Sequence, residues 1–286
     1  MKMKRNASRI LMFVLALLMV IILTAIPTEV SAAASASGTV GGDINWAFDA
    51  ATGTLTISGN GDMRNTDASF SQCKHPWSEY ADQVTSVVIE EGVTQICYNA
   101  FSGFSKVTSL SIPNSVTSVE DFVFGGFSAL QEIYIPAGLA DMGIPLWGDS
   151  MTAIWVDPAN PSYSSDQYGV LFNKDKTQLI DMPPAFSGSY NIPAGVTSFS
   201  FYHCRNLTSV TVPTGAVGDF YYCTSLKSVT LPSYATEIGT FFGCYKLDNV
   251  VIPQGVTSIP GSCFGDCGLT SITIPNTVTI IGMRAF

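Results

Sequence analysis

Histidine is scarce in this chain of 286 residues, with only two copies, and Asp, Glu, Lys and Arg together make up only 12% of it. No H-E-x-x-H, G-x-S-x-G or P-loop pattern occurs, and Gly59-Asn60-Gly61 lacks the third glycine of a dinucleotide-binding turn. Those absences leave no hydrolase, protease or nucleotide chemistry to build on. The expectation is a non-enzyme with no cofactor and no metal. Basic side chains are also in deficit, 13 against 22 acidic, giving a formal charge of −9. An anionic surface repels phosphate backbones, which argues against nucleic acid as a partner. With 47% hydrophobic residues the chain is no solvated, disordered tail.

A single long apolar run is present. Lys2, Lys4, Arg5 and Arg9 precede Ile10 to Ile26, broken only by Thr24, and small residues follow at Val30-Ser31-Ala32-Ala33-Ala34. Residues 1–34 therefore read as an export signal cleaved after Ala32 or Ala34. The alternative is an uncleaved anchor, since the run is near the lower limit for spanning a bilayer. Either way the chain is expected to be secreted or held at the cell surface, touching a membrane only through this segment.

What dominates the rest is repetition. Leu269-Thr270-Ser271-Ile272-Thr273-Ile274-Pro275 restates Leu247 to Pro253 and Val107 to Pro113. First positions fall at Val84, Val107, Leu130, Met151, Ser187, Leu207, Leu226, Leu247 and Leu269, the spacing of stacked leucine-rich-repeat coils. Residues at +3 and +5 alternate as one buried strand face, for example Ile133/Ile135, Ile154/Val156, Val250/Ile252 and Ile272/Ile274. Proline then ends the ladder at Pro113, Pro136, Pro193, Pro213, Pro232, Pro253 and Pro275. A Val-x-x-Ile/Val corner follows, and Phe101, Phe124, Phe242, Phe264 or Phe286 closes the coil. The fold class is thus all-β, a solenoid wound as a right-handed leucine-rich-repeat coil around a parallel sheet. No coil could bury its apolar face alone.

Before the array, Ile44 to Phe48 and Thr54 to Ser58 alternate around Asp49-Ala50-Ala51-Thr52-Gly53, a β-hairpin signature. Residues 38–80 read as an N-terminal cap: this hairpin, Trp77, and between them a polar, irregular loop from Gly59 to Ser78. The solenoid covers 84–286, with an enlarged repeat at 157–186 whose turn is Asn173-Lys174-Asp175-Lys176-Thr177. That turn has a faint look of a calcium loop but lacks the glycine and the distal glutamate. Because Phe286 falls in mid-repeat, the array is expected to be truncated or to continue in a longer parent.

Seven cysteines is an odd number for an exported chain. Cys204, Cys223, Cys244 and Cys267 share one slot of the repeat, and Cys263 takes the slot of Ala100 and Ala285. Stacked core thiols are the expectation, with a disulfide between neighbouring coils as the alternative. Cys97 is less clearly core, and Cys73, in the polar loop, is the candidate for an exposed thiol. His203 beside Cys204 could in principle be a nucleophilic pair, but neighbours on a strand point apart.

The combination of these repeats, the Gly169-Val170-Leu171-Phe172-Asn173-Lys174-Asp175 enlargement and the Trp46 hairpin followed by Pro76-Trp77 resembles the BspA-like leucine-rich-repeat family of bacterial surface antigens. That resemblance covers about residues 38–286. It implies an exported or surface-attached protein that binds extracellular proteins or glycans, often with adhesion as the outcome. No cell-wall anchoring motif is present, which leaves attachment open.

Outward strand positions, at +2 and +4, are mostly Ser and Thr. The exception is Glu132, Tyr134 and Trp155 on adjacent coils with Asp157 just beyond, exposed aromatics beside carboxylates, which suits a ligand-binding anchor. The alternative is that the enlarged repeat covers these rings. Two rivals to an adhesive binding protein stand beside it: an accessory module of a larger secreted enzyme, and a purely structural envelope protein.

Overall fold

The computed structural model describes residues 36–40, 43–63, 75–143 and 147–286. The export signal, residues 41–42 of the cap and the loop around Cys73 lie outside them. Among the described residues the regular structure is short β-strands, with two short 3-10 turns at Pro76–Tyr80 and Val123–Gly126. No described helix is long and apolar enough to cross a membrane.

The coils stack their strands in two parallel columns, most coils giving a strand to each. In the first, Thr54–Gly59, Ser86–Ile89 and Ser109–Ser111 pair in parallel. Glu132–Ile135 then pairs with Ala153–Val156. Beyond the enlarged repeat, Gly188–Asn191, Leu207–Thr211, Ser228–Thr230 and Asn249–Val250 continue it. The apolar side chains at +3 and +5 explain why this column forms: Ile133, Ile135, Ile154, Val210 and Ile252 are all buried. Leu110 and Leu231 are only partly so. Ile274 departs from its expected inward place and is 39% exposed.

The second column occupies what the sequence shows only as an apolar corner. Gly61–Asp62, Val93–Ile96, Ser118–Val119 and Asp141–Met142 stack in parallel. Gln178–Asp181, Ser198–Tyr202 and Val217–Tyr221 form another such run, as do Ser258–Ile259 and Ile280–Ile281. The stretch after Gly59 is therefore less irregular than its composition implies. Gly61, at φ 109°, donates its N–H to the Gly92 carbonyl at 2.9 Å and starts this column.

A three-stranded antiparallel meander opens the array, Ala36–Val40 against Ile44–Asp49 against Thr54–Gly59. Its last strand also pairs in parallel with Ser86–Ile89, so the meander hands the sheet directly to the first coil. Trp77 is fully buried beneath it, 6.4 Å from Trp46, and its indole N–H donates to the Ala100 carbonyl at 2.7 Å.

The apolar interior divides in two. One core runs from Val40 to Leu171 and the other from Val170 to Ala285. The division falls in the enlarged repeat, where Tyr163–Ser165, Leu171–Asn173 and Gln178–Asp181 fold back on one another as antiparallel strands. A Phe ladder links the coils of the second core: Phe220, Phe241 and Phe264 are stacked at 5.1 and 5.4 Å.

Candidate binding site

The parallel register places Tyr134 beside Trp155 and Glu132 beside Ala153. Period-two alternation puts Glu132, Tyr134 and Trp155 on the outer face of the first column while Ile133, Ile135 and Ile154 are buried inside. The four predicted residues meet. Trp155 donates its indole N–H to Glu132 Oε2 at 3.1 Å, and the Tyr134 hydroxyl donates to Asp157 Oδ2 at 2.6 Å. Asp157 Oδ1 also accepts the Ala159 N–H at 2.8 Å. Burial, then the Asp157 carboxylate, pushes the Tyr134 hydroxyl well above the usual phenol range, so it stays a donor.

These residues are half-buried, not fully exposed as the sequence led us to expect. The reason is packing across the strands and against the enlarged repeat. Ile154 donates its N–H to the Gly169 carbonyl at 2.8 Å, and Val156 donates its N–H to Ser165 Oγ at 3.1 Å. Ala153, expected to face outward, is buried under Gly169, where a Cβ would come within 2.5 Å of the Ala153 methyl. The enlargement thus walls one side of the patch and leaves the two rings part-open, their polar tips held. Rigid aromatic surface with tethered tips is suited to recognition, and it holds no nucleophile.

The remaining sequence candidates resolve as follows. Cys204 is buried and its thiol faces the Met182 and Tyr202 carbonyls, whereas the His203 ring meets the Arg205 guanidinium at 3.2 Å. The two do not pair. Cys204, Cys223, Cys244 and Cys263 are buried and Cys267 partly so, and all are free thiols. Neighbouring thiols and burial raise Cys223 and Cys244, and burial pushes Cys263 and Cys267 up to about 12. Groups so far from ionising make core, not reagents. Cys97 is buried as well. Among the described residues no three His, Cys, Asp or Glu side chains converge as a metal site.

One pairing escaped the sequence reading. His75 Nε2 lies 3.4 Å from Cys97 Sγ beneath the cap, both buried, with the imidazole stacked on Trp77 at 4.6 Å. Twenty-two residues separate them and no local pattern signals the contact. Desolvation lowers His75 to about 4, so the ring is neutral. Both side chains are buried beneath the cap.

A parallel β-solenoid with a leucine-rich coil defines the class of leucine-rich-repeat proteins. Within it, six copies of the BspA type Leucine rich repeat region match residues 78–146 and 188–286, more than half of the chain, and the chain belongs to that family. The gap in the match coincides with the enlarged repeat. Among solved structures, the chain is similar to a leucine rich cell surface protein from Faecalibacterium prausnitzii A2-165. Identity is 21%, with 88% of this chain and 96% of that one covered and a TM-score of 0.56. A leucine-rich repeat protein from Eubacterium ventriosum matches at 20% identity over 89% of this chain and 95% of that one, TM-score 0.48. The pneumococcal vaccine antigen PcpA matches at 21% identity over 71% of this chain and 54% of that one, TM-score 0.49. No curated protein sequence matches the chain.

Proposed function

We propose that this chain is an exported, non-enzymatic binding protein that grips extracellular proteins or glycans through its repeat surface, with adhesion to matrix or neighbouring cells as the outcome. The observation that carries this reading is the Tyr134–Trp155 pair on adjacent strands, each ring tethered by its own carboxylate, Asp157 and Glu132. Tethering removes side-chain freedom in advance, so less is lost when a ligand lands. Membership of a family of bacterial surface antigens supports the export and surface display.

The test is a binding screen of the mature protein against immobilised extracellular-matrix proteins and a glycan array, repeated with Tyr134→Ala/Trp155→Ala. Loss of a bound ligand with an unchanged circular dichroism spectrum supports the patch. Binding that survives both substitutions discards it, and a complete lack of ligands discards the adhesive reading.

A further inference from the structure

We infer that a second contact surface lies on the corner of the coils between Ser198 and Leu247, and that it takes a protein segment presenting a carboxylate flanked by apolar side chains. This surface is separate from the Tyr134–Trp155 patch and does not rest on it.

Three successive coils place aromatic side chains just before the Cys row: Tyr202-His203 and Tyr221-Tyr222 directly before Cys204 and Cys223, and Phe242 two residues before Cys244. In the first two coils the residue directly before Cys has a left-handed backbone; in the third that slot is Gly243. His203 sits at φ 58° and Tyr222 at φ 55°, in the slot that Gly103 and Gly243 fill at φ 85° and 75° and Asp266 at 55°. Left-handed backbone suits glycine and penalises a ring-bearing residue, so keeping rings here works against stability. Such outliers cluster where a side chain is needed for function.

The rings are held in place. Tyr222 lies 5.2 Å from His203 and 5.5 Å from Phe242. Glycine on the next coil makes room for each ring: a Cβ at Gly243 would come within 2.6 Å of Tyr222, and one at Gly265 within 2.9 Å of Phe242. Tyr202 leans on His203 at 4.2 Å and is 51% exposed. At the margin Arg205 is half-exposed, with Nη1 donating to Asp149 at 3.1 Å and Nη2 against His203 Nδ1 at 3.2 Å. The guanidinium is thereby oriented while three of its five N–H groups stay available for a bidentate partner.

Chemistry and charge select the occupant. Pre-ordered tyrosines with an arginine are the composition of a protein hot spot. Successive rings meet edge to face, at 87° for Tyr202–Tyr222 and 89° for Tyr222–Phe242, and so offer no flat row for sugar rings. Between residues 35 and 157 the chain carries 14 carboxylates against three basic side chains, but from 158 to 286 seven against six. A carboxylate-bearing segment is therefore repelled by the first half and tolerated by the second.

A displayed random-peptide library selected on the immobilised full-length protein tests this. The expected pool is enriched in Asp or Glu next to aromatic or aliphatic residues. Its binding falls about tenfold or more with Arg205→Ala or Tyr202→Ala and is unchanged by Tyr134→Ala/Trp155→Ala. A pool with no such enrichment, or one indifferent to Arg205, overturns the proposal, as does a glycan whose binding these corner substitutions abolish. His203→Gly/Tyr222→Gly separates contact from packing. If the rings serve contact, the melting temperature holds or rises while peptide binding is lost; a marked fall in melting temperature assigns the rings to packing and sinks the inference.

Discussion

Replacing Phe241 with Ala should unfold one half of the array and spare the other. Phe241 is fully buried, stacked on Phe220 at 5.1 Å and on Phe264 at 5.4 Å with ring planes 8° and 0° apart. Truncating such a ring costs about 3–5 kcal/mol from lost transfer energy and the void left behind. With a denaturant slope of about 2 kcal/mol/M, the urea midpoint of the affected unit falls by about 2 M. The probes separate the halves. The chain has four tryptophans, Trp46, Trp77, Trp147 and Trp155, all in the first half, so indole fluorescence reports that half alone. Circular dichroism reports both. Because the interior is divided into two cores and each coil touches only its neighbours, the dichroism transition should split while the fluorescence midpoint stays put. If both signals shift together by the same amount, the array melts as one unit and the two-core description is wrong.

Three further outcomes are expected. Folded His75 titrates near 4 against 6.5 in the unfolded chain, so the unfolded state holds the extra proton between those values. Stability should fall by up to about 3 kcal/mol as pH drops through that window, and His75→Phe should flatten this slope in urea titrations read by tryptophan fluorescence. Asp181 acts in the opposite sense: burial raises it from 3.8 to about 7, so its folded form is stable when protonated and loses stability as pH rises through that range. Asp181→Asn, which keeps an acceptor for the Met182 N–H, should add about 1–3 kcal/mol above pH ~7 and little below pH ~4, checked by thermal melts at both ends. Gly126→Ala should cost at least about 2 kcal/mol in the same assay, since its Cβ would come within 2.1 Å of the Phe101 carbonyl oxygen.

The column of Ile133, Ile135, Ile154 and Ile252 was legible because alternation marks the strand in these repeats and proline marks its end in most of them. Ala36–Val40 was not, since Ala-Ser-Gly-Thr-Val carries no apolar alternation and gains its order from pairing with Ile44–Asp49. The second column was hidden for a similar reason. Ser118–Val119 is two residues long, and such a strand exists only because the coils on either side pair with it. At the candidate site, the sequence placed Glu132, Tyr134, Trp155 and Asp157 on adjacent coils, while the pairing of ring tips with carboxylates needed the register. Ala153 was misplaced because the cover comes from Gly169, sixteen residues on and outside the repeat's period. The aromatic corner did have a signal, a doubled ring before Cys in consecutive repeats, masked by reading that slot for its thiols.

Val170 and Leu171 are consecutive, and their side chains belong to opposite interiors. That short stretch is a party wall. A polar change at Leu171 would loosen the half that bears the tethered rings, and the same change at Val170 the half that bears the thiols. Length can then be gained or lost on either side of the wall without the far side having to repack.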